Sequence, residues 1–270
     1  MAERAGEFIA ESAAQGEPFF VQLSWLALHS PGNARPETIA AVRERIGRSN
    51  ARSIERLALA EDLDEGVGRL LDLLDKLELS DNTLVIYTSD NGGSVQGERV
   101  LRGGKGSLWE GGIRVPFVVR GPGVEAGSVD GTPIVLHDLF PTFAELAGVG
   151  EACPQDLEGV SLVEDLRGAP GDLERTSGGL FFHLPTAEEG DPRAAIIRGG
   201  LKLIQRDDED AWLVDLDADP SEQHNAAGDH PEALESMGAA LDAYLESLPE
   251  EVGPRRARGR RGQARGDSDR

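Results

Sequence analysis

"TLVIYTSDNGG", Thr83 to Gly93, sets a run of β-branched and aromatic residues directly before an acid, an amide and two glycines. Such side chains fit a pleated, half-buried surface, and Gly92-Gly93 ends the run, so a buried strand is predicted over Thr83 to Ser89. Upstream, Leu63, Val67, Leu70, Leu74 and Leu77 recur at helical spacing. They mark a helix with one apolar face despite Gly66 and Gly68, and "SDN" turns the chain between helix and strand. Further back, "PFFVQLSWLALHSP" holds an apolar run, Phe19 to Trp25, that is too short for a helix and bounded by proline; it reads as a second buried strand. Downstream, "RVPFVVRGPG" predicts a strand over residues 114–120, and "TPIVLHDLFPTFAELAGVG" a helix ending at Gly148. Strands alternating with helices specify an α/β fold, a mostly parallel sheet flanked by helices.

The texture changes after residue 150. "LFFHLP", "AAIIRGGLKLIQRD" and "AWLVDLDADP" read as short strands, with Gly199-Gly200 a hairpin signal between two of them. A helix over Pro231 to Leu248 follows. The expected organisation is an α/β part over 1–150, then a small subdomain over 151–250 made of an antiparallel sheet with one packed helix. Residues 251–270 read as an Arg-rich tail expected to be disordered, with seven arginines against two aspartates from Pro254 onward. The N-terminal stretch "MAERAGEFIAESAAQGEPFF" reads as an amphipathic helix without a cap, as expected of a chain that begins partway through a domain.

A net charge of -22 over 270 residues argues against a nucleic-acid surface, because a polyanion would be repelled. No window approaches the roughly 18 consecutive apolar residues of a membrane helix. A secretory signal is not read at the N-terminus, and the single cysteine, Cys153, forms no internal disulfide, so the compartment stays open.

Ligands of open parallel sheets bind beyond the carboxyl ends of the strands, and His29 and the pair Asp90-Asn91 both follow predicted strands. Asp90 and Asn91 offer a carboxylate and an amide oxygen, the hard donors that calcium or magnesium prefers; the same Asp-Asn-Gly-Gly run also suits a plain turn. Lys105 stands in "RGGKGS". A Walker A loop would need glycine where Arg99 stands, so a nucleotide phosphate loop is excluded. What remains is either a solvated lysine or a compact cation on glycine-flanked backbone, open to an anion. There is no G-x-S-x-G elbow and no H-E-x-x-H, so neither a serine hydrolase nor a zinc site is supported.

Taken in order, these segments resemble the sulfatase family of the alkaline-phosphatase-like superfamily. "PFFVQLSWLALHSP" is similar to the family strand that ends in His before a small residue and proline. "LAEDLDEGVGRLLDLLDKLELSDNTLVIYTSDNGG" resembles its helix, turn and metal-bearing strand, and "LRGGKGSLWEGGIRVPFVVRGPG" its lysine loop. "DLFPTFAELAG" and "WLVDLDADPSEQHNAA" resemble its later helix and its C-terminal strand and turn.

The resemblance implies a calcium-assisted hydrolase of sulfate esters. Asp90 and Asn91 would be metal ligands, and Lys105 and His29 would contact the sulfate ester, one of them as proton donor. His183, at the end of a subdomain strand, is a candidate substrate contact. A sulfated small molecule or carbohydrate is the implied partner. The family nucleophile is a formylglycine made within a C/S-x-P-S-R motif, and Cys153-Pro154-Gln155-Asp156 does not match it. The upstream acidic pair and the Arg, Lys and His that follow the formylglycine have no counterparts either. They would belong before residue 1, with a missing N-terminal segment or a partner chain supplying them. The chain is therefore expected to resemble the C-terminal half or more of a sulfatase and to be inactive alone, with an exposed apolar edge. The alternatives are a non-catalytic anion-binding or partner subunit and a related phosphodiesterase or phosphonate hydrolase.

Overall fold

The computed structural model describes residues 1–29, 32–47, 50–93, 100–154, 156–168, 173–186, 192–206 and 211–249. The Arg-rich tail, the Ser30-Pro31 step after His29, Gln155 beside Cys153 and most of the segment between the Asp90 turn and the lysine loop lie outside the described residues. Two compact units divide the chain, one of Met1–Val85 with Val119–Pro122 and one of Ile86–Val118 with Gly123–Arg270.

The first unit is helical. Helix α1 (Ala2–Gln15) has no side-chain cap at its start and ends at Gly16 in the left-handed conformation. Helices α2 (Pro36–Ile46) and α3 (Ala51–Lys76) bury Val42, Ile54 and Ala58 between them. Asn50 caps α3, its side chain accepting from the Ser53 N–H at 2.8 Å. Arg35 fastens α2 to α3. Its N–H and Nε donate to Asp62 at 2.7 and 2.9 Å, and Thr38 Oγ1 donates to the same carboxylate at 2.6 Å. The periodic segment that begins at Leu63 is the second half of α3; the first half buries Ile54, Ala58 and Leu59.

One expected element is absent here. Phe19 to Trp25 joins no ladder among the described residues, and Phe20 is 63% exposed. A ladder needs a second strand in register, and neither sheet among the described residues includes this run.

Strand β1 (Val85–Thr88), the single helical turn α4 (Glu110–Ile113) and strand β2 (Phe117–Arg120) follow, and β1 pairs with β2. In the second unit come α5 (Leu139–Leu146) and α6 (Val163–Leu166), then β3 (Leu180–His183), β4 (Ala194–Arg198), β5 (Leu201–Gln205), β6 (Trp212–Asp215) and α7 (Pro231–Ser247). Strands β3 to β6 form one antiparallel sheet in sequence order. The β4–β5 hairpin turns at Gly199-Gly200, with Gly199 at φ 57°, as the glycine pair predicted.

The sheet has two covered faces. Ala194, Ile196, Leu203 and Leu213 pack with Met237 and Leu241 of α7, and Phe181 stacks on Tyr244 with centroids 4.6 Å apart. Ala195, Ile204 and Val214 point the other way and pack under Leu108 and Trp109, which precede α4. Asp138, fully buried before α5, accepts from the Val135 and Val160 N–H groups at 2.9 Å each and from both Arg175 terminal nitrogens at 2.7 Å.

Candidate active site

The structure joins the Asp90 turn to the lysine loop through backbone. Gly92 N–H donates to the Gly112 carbonyl at 2.8 Å, and Lys105 N–H donates to the Gly93 carbonyl at 3.1 Å. The two segments lie so close that only glycine fits. A Cβ on Gly92 would stand 2.1 Å from the Gly111 oxygen, and within the lysine loop itself one on Gly112 would stand 2.1 Å from the Ser107 oxygen. Asp90 and Lys105 are both exposed at this junction, and Asn91 is half-buried. The strand-end pair and the lysine, read from separate stretches, thus belong to one loop cluster.

The cluster rests on a packed floor. Leu108, Trp109 and Glu110 are buried, and the Arg102 guanidinium lies over the Trp109 ring, 3.5 Å from its centroid. Beneath Glu110, the sequence reading missed Lys202 and Glu222, both fully buried. In "LKLIQ" the lysine interrupts an apolar run and shares the face of Ile204. Its register partners are Ile197 and Val214, so it shares the face covered by Leu108 and Trp109.

His29 belongs to the first unit and is described within it. It lines a cavity of about 350 Å³ with Leu28, Gly32, Arg52, Glu55 and Arg56. Leu28 before it has φ 71°, a left-handed conformation that non-glycine residues seldom adopt and that clusters at functional sites. His183 is half-buried, and burial holds its imidazole below the usual histidine value. Its partner in the ladder is Ala194, which packs against α7. His183 therefore sits on the face opposite Leu108 and Trp109, and the structure does not bring it to the lysine loop.

The donor set suits a hard cation in part. Asn91 Nδ2 donates to the Gly92 carbonyl at 2.9 Å, which leaves Oδ1 as the free acceptor beside the exposed Asp90 carboxylate. Calcium takes about six to eight oxygens, and the described residues hold no cluster of three or more His, Cys, Asp or Glu side chains that could complete a shell. Asp90 and Asn91 thus fit as a fraction of a calcium site.

The α/β scaffold thus carries the Asp90 turn and the lysine loop as backbone-joined neighbours after β1. The sulfatase family model matches residues 1–149, and a model described as N-sulphoglucosamine sulphohydrolase, C-terminal, matches residues 104–251. The chain belongs to the sulfatase family. It is 31% identical to the steryl-sulfatase of Mus musculus over 94% of its own length and 46% of that protein's. The crystal structure of Ps i-CgsB in complex with k-i-k-neocarrahexaose matches 95% of the chain and 56% of its own, at 27% identity and a TM-score of 0.80. The structure of BT4656 in complex with its substrate D-Glucosamine-2-N, 6-O-disulfate matches 78% of the chain and 42% of its own, at 25% identity and a TM-score of 0.56. The α/β class read from the sequence is therefore the fold of solved sulfatases, and the chain spans about half the length of these relatives.

Proposed function

We propose that this chain carries the metal-and-lysine part of a sulfate ester hydrolase, acting on a sulfated small molecule or carbohydrate. The observation that carries this reading is the backbone junction of the Asp90 turn with the lysine loop, Lys105 N–H to Gly93 O at 3.1 Å. That junction holds the backbone of the Asp90 turn beside that of Lys105, which supports reading the exposed Asp90, the half-buried Asn91 and the exposed Lys105 as parts of one site. The sulfated sugar bound by BT4656 supports the substrate class.

Asp90 and Asn91 would hold calcium, which when bound neutralises charge on a sulfate oxygen. The Lys105 ammonium donates to an ester oxygen, a charge-assisted bond that strengthens as negative charge develops there. His29 is assigned to the same ester by family resemblance, and it or Lys105 supplies the proton that the departing alcohol oxygen requires. The motif that becomes formylglycine is not in this chain, so no residue here is assigned the attack on sulfur.

The full chain with calcium should bind inorganic sulfate and should not hydrolyse para-nitrophenyl sulfate. Lys105→Ala should weaken sulfate binding about tenfold or more, the worth of one charge-assisted hydrogen bond. Titration calorimetry reads this directly. Sulfate binding indifferent to Lys105→Ala would overturn the reading, and tighter binding of phosphate than of sulfate would move it to the phosphonate hydrolases.

A further inference from the structure

Three buried ionisable side chains form one cluster under the loop that carries Lys105. Lys202 Nζ donates to Glu110 Oε1 at 2.9 Å and to Glu222 Oε1 at 2.8 Å, and none of the three side chains is more than 5% exposed. One cation faces two carboxylates, with Arg114 approaching Glu110 Oε2 at 3.6 Å from an exposed position. Dry ion clusters of this kind are often no more stable than apolar residues of the same volume. Stability alone therefore does not account for it.

The contacts of Glu222 show what the cluster holds. Its Oε2 accepts the Glu110 N–H at 2.6 Å, and its backbone oxygen accepts from Arg102 Nη1 at 3.0 Å. Arg102 and Glu110 stand on either side of Lys105 in the chain, so a single residue grips both ends of the lysine loop. Glu222 does this at φ 57°, a left-handed conformation that a non-glycine residue keeps only when its surroundings impose it. Asp219 imposes it here. Its carboxylate accepts the Gln223 and His224 N–H groups at 2.7 and 2.8 Å, and its carbonyl accepts the Glu222 N–H at 3.1 Å.

We propose that Glu222, locked in place by Lys202, is the positioning residue of the lysine loop: it fixes the backbone from which Lys105 reaches an anion. The proposal rests on the reading of Lys105 as the sulfate contact, and it gives the C-terminal sheet a part in the site. Glu222 and Lys202 act through the loop and touch no substrate themselves.

Hydrogen exchange read by mass spectrometry on the full chain, without ligand, tests it. Two variants serve. Glu222→Gln replaces one of two acceptors by a donor, and Lys202→Met with Glu222→Leu removes one cation and one carboxylate together, leaving Glu110 to pair with Arg114. In both, exchange over residues 103–109 should rise about tenfold or more, and the near-UV circular dichroism of Trp109 and Trp212 should fall. Exchange in β3, β4 and α7 should stay as in the parent chain. Loop exchange that does not change, or a uniform rise across the second unit, would overturn the proposal. Sulfate binding lost in Lys105→Ala alongside unchanged loop exchange in the Glu222 variants would leave the sulfate reading standing and sink this one. Loosened loops alongside sulfate binding indifferent to Lys105→Ala would do the reverse.

Discussion

At the scale of single residues, Gly92 and Gly93 are neighbours with different duties. A Cβ on Gly92 would strike the Gly111 oxygen, whereas one on Gly93 meets nothing within 4 Å. Gly92→Ala should therefore cost about 1–3 kcal/mol by forcing the lysine loop away, and Gly93→Ala should stay within about 0.5 kcal/mol. Urea melts of the two variants decide it, and equal losses would contradict the close approach. His183 makes a pH prediction. Burial depresses its folded-state pKa, so between the ordinary histidine value and the lower folded value the unfolded chain takes up a proton that the folded chain refuses. The associated stability is present above the ordinary value and lost as pH falls through the folded one. The parent chain should lose more stability than His183→Gln between about pH 7.5 and about pH 5, and parallel curves would place His183 in solvent. Residues that declared themselves in the sequence did so through their neighbours: Asp90, Asn91 and Lys105 are bracketed by glycines. Glu222 had no such bracket, because what makes it special is a partner far away in the chain.

At the scale of elements, local pattern located most of the helices and strands. The glycine pair announced the β4–β5 hairpin, and the β-branched run announced β1. The run at Phe19 to Trp25 had the same composition and became no strand, because pairing depends on a neighbour that composition does not report. Asp138 is a different case: it stands beside an exposed His137, and nothing in the local pattern marks it as buried. Its side chain is fully buried, and its Arg175 partner is 6% exposed. Arg175→Ala would strand a buried carboxylate and should cost about 3–5 kcal/mol. Denaturant melts measure this, and a loss under about 1 kcal/mol would be the signature of a solvated pair.

At the scale of the whole molecule, charge and exposed apolar surface dominate. A net charge of -22 repels itself, and salt shortens the reach of that repulsion from about 30 Å at 0.01 M to about 8 Å at 0.15 M. The melting midpoint should therefore rise over that range of sodium chloride, and a fall would show that attractive pairs such as Arg35 with Asp62 outweigh the repulsion. Phe20 and Leu26 are 63% and 84% exposed. Replacing both by serine should reduce binding of a hydrophobic dye and self-association seen by light scattering. No helix among the described residues is long and apolar enough to cross a membrane.

The sequence by itself determined the class of fold, the family and the candidate pair and lysine, because hydrophobic period, glycine brackets and motif order are local properties carried by contiguous residues. Only the tertiary structure decided that the Asp90 turn and the lysine loop share backbone hydrogen bonds, that His183 faces away from that loop, and that Lys202 and Glu222 lie beneath it. Those facts depend on which side chains are removed from water together. Burial of a charge is set by partners that folding brings in from distant parts of the chain, and no stretch of sequence contains them.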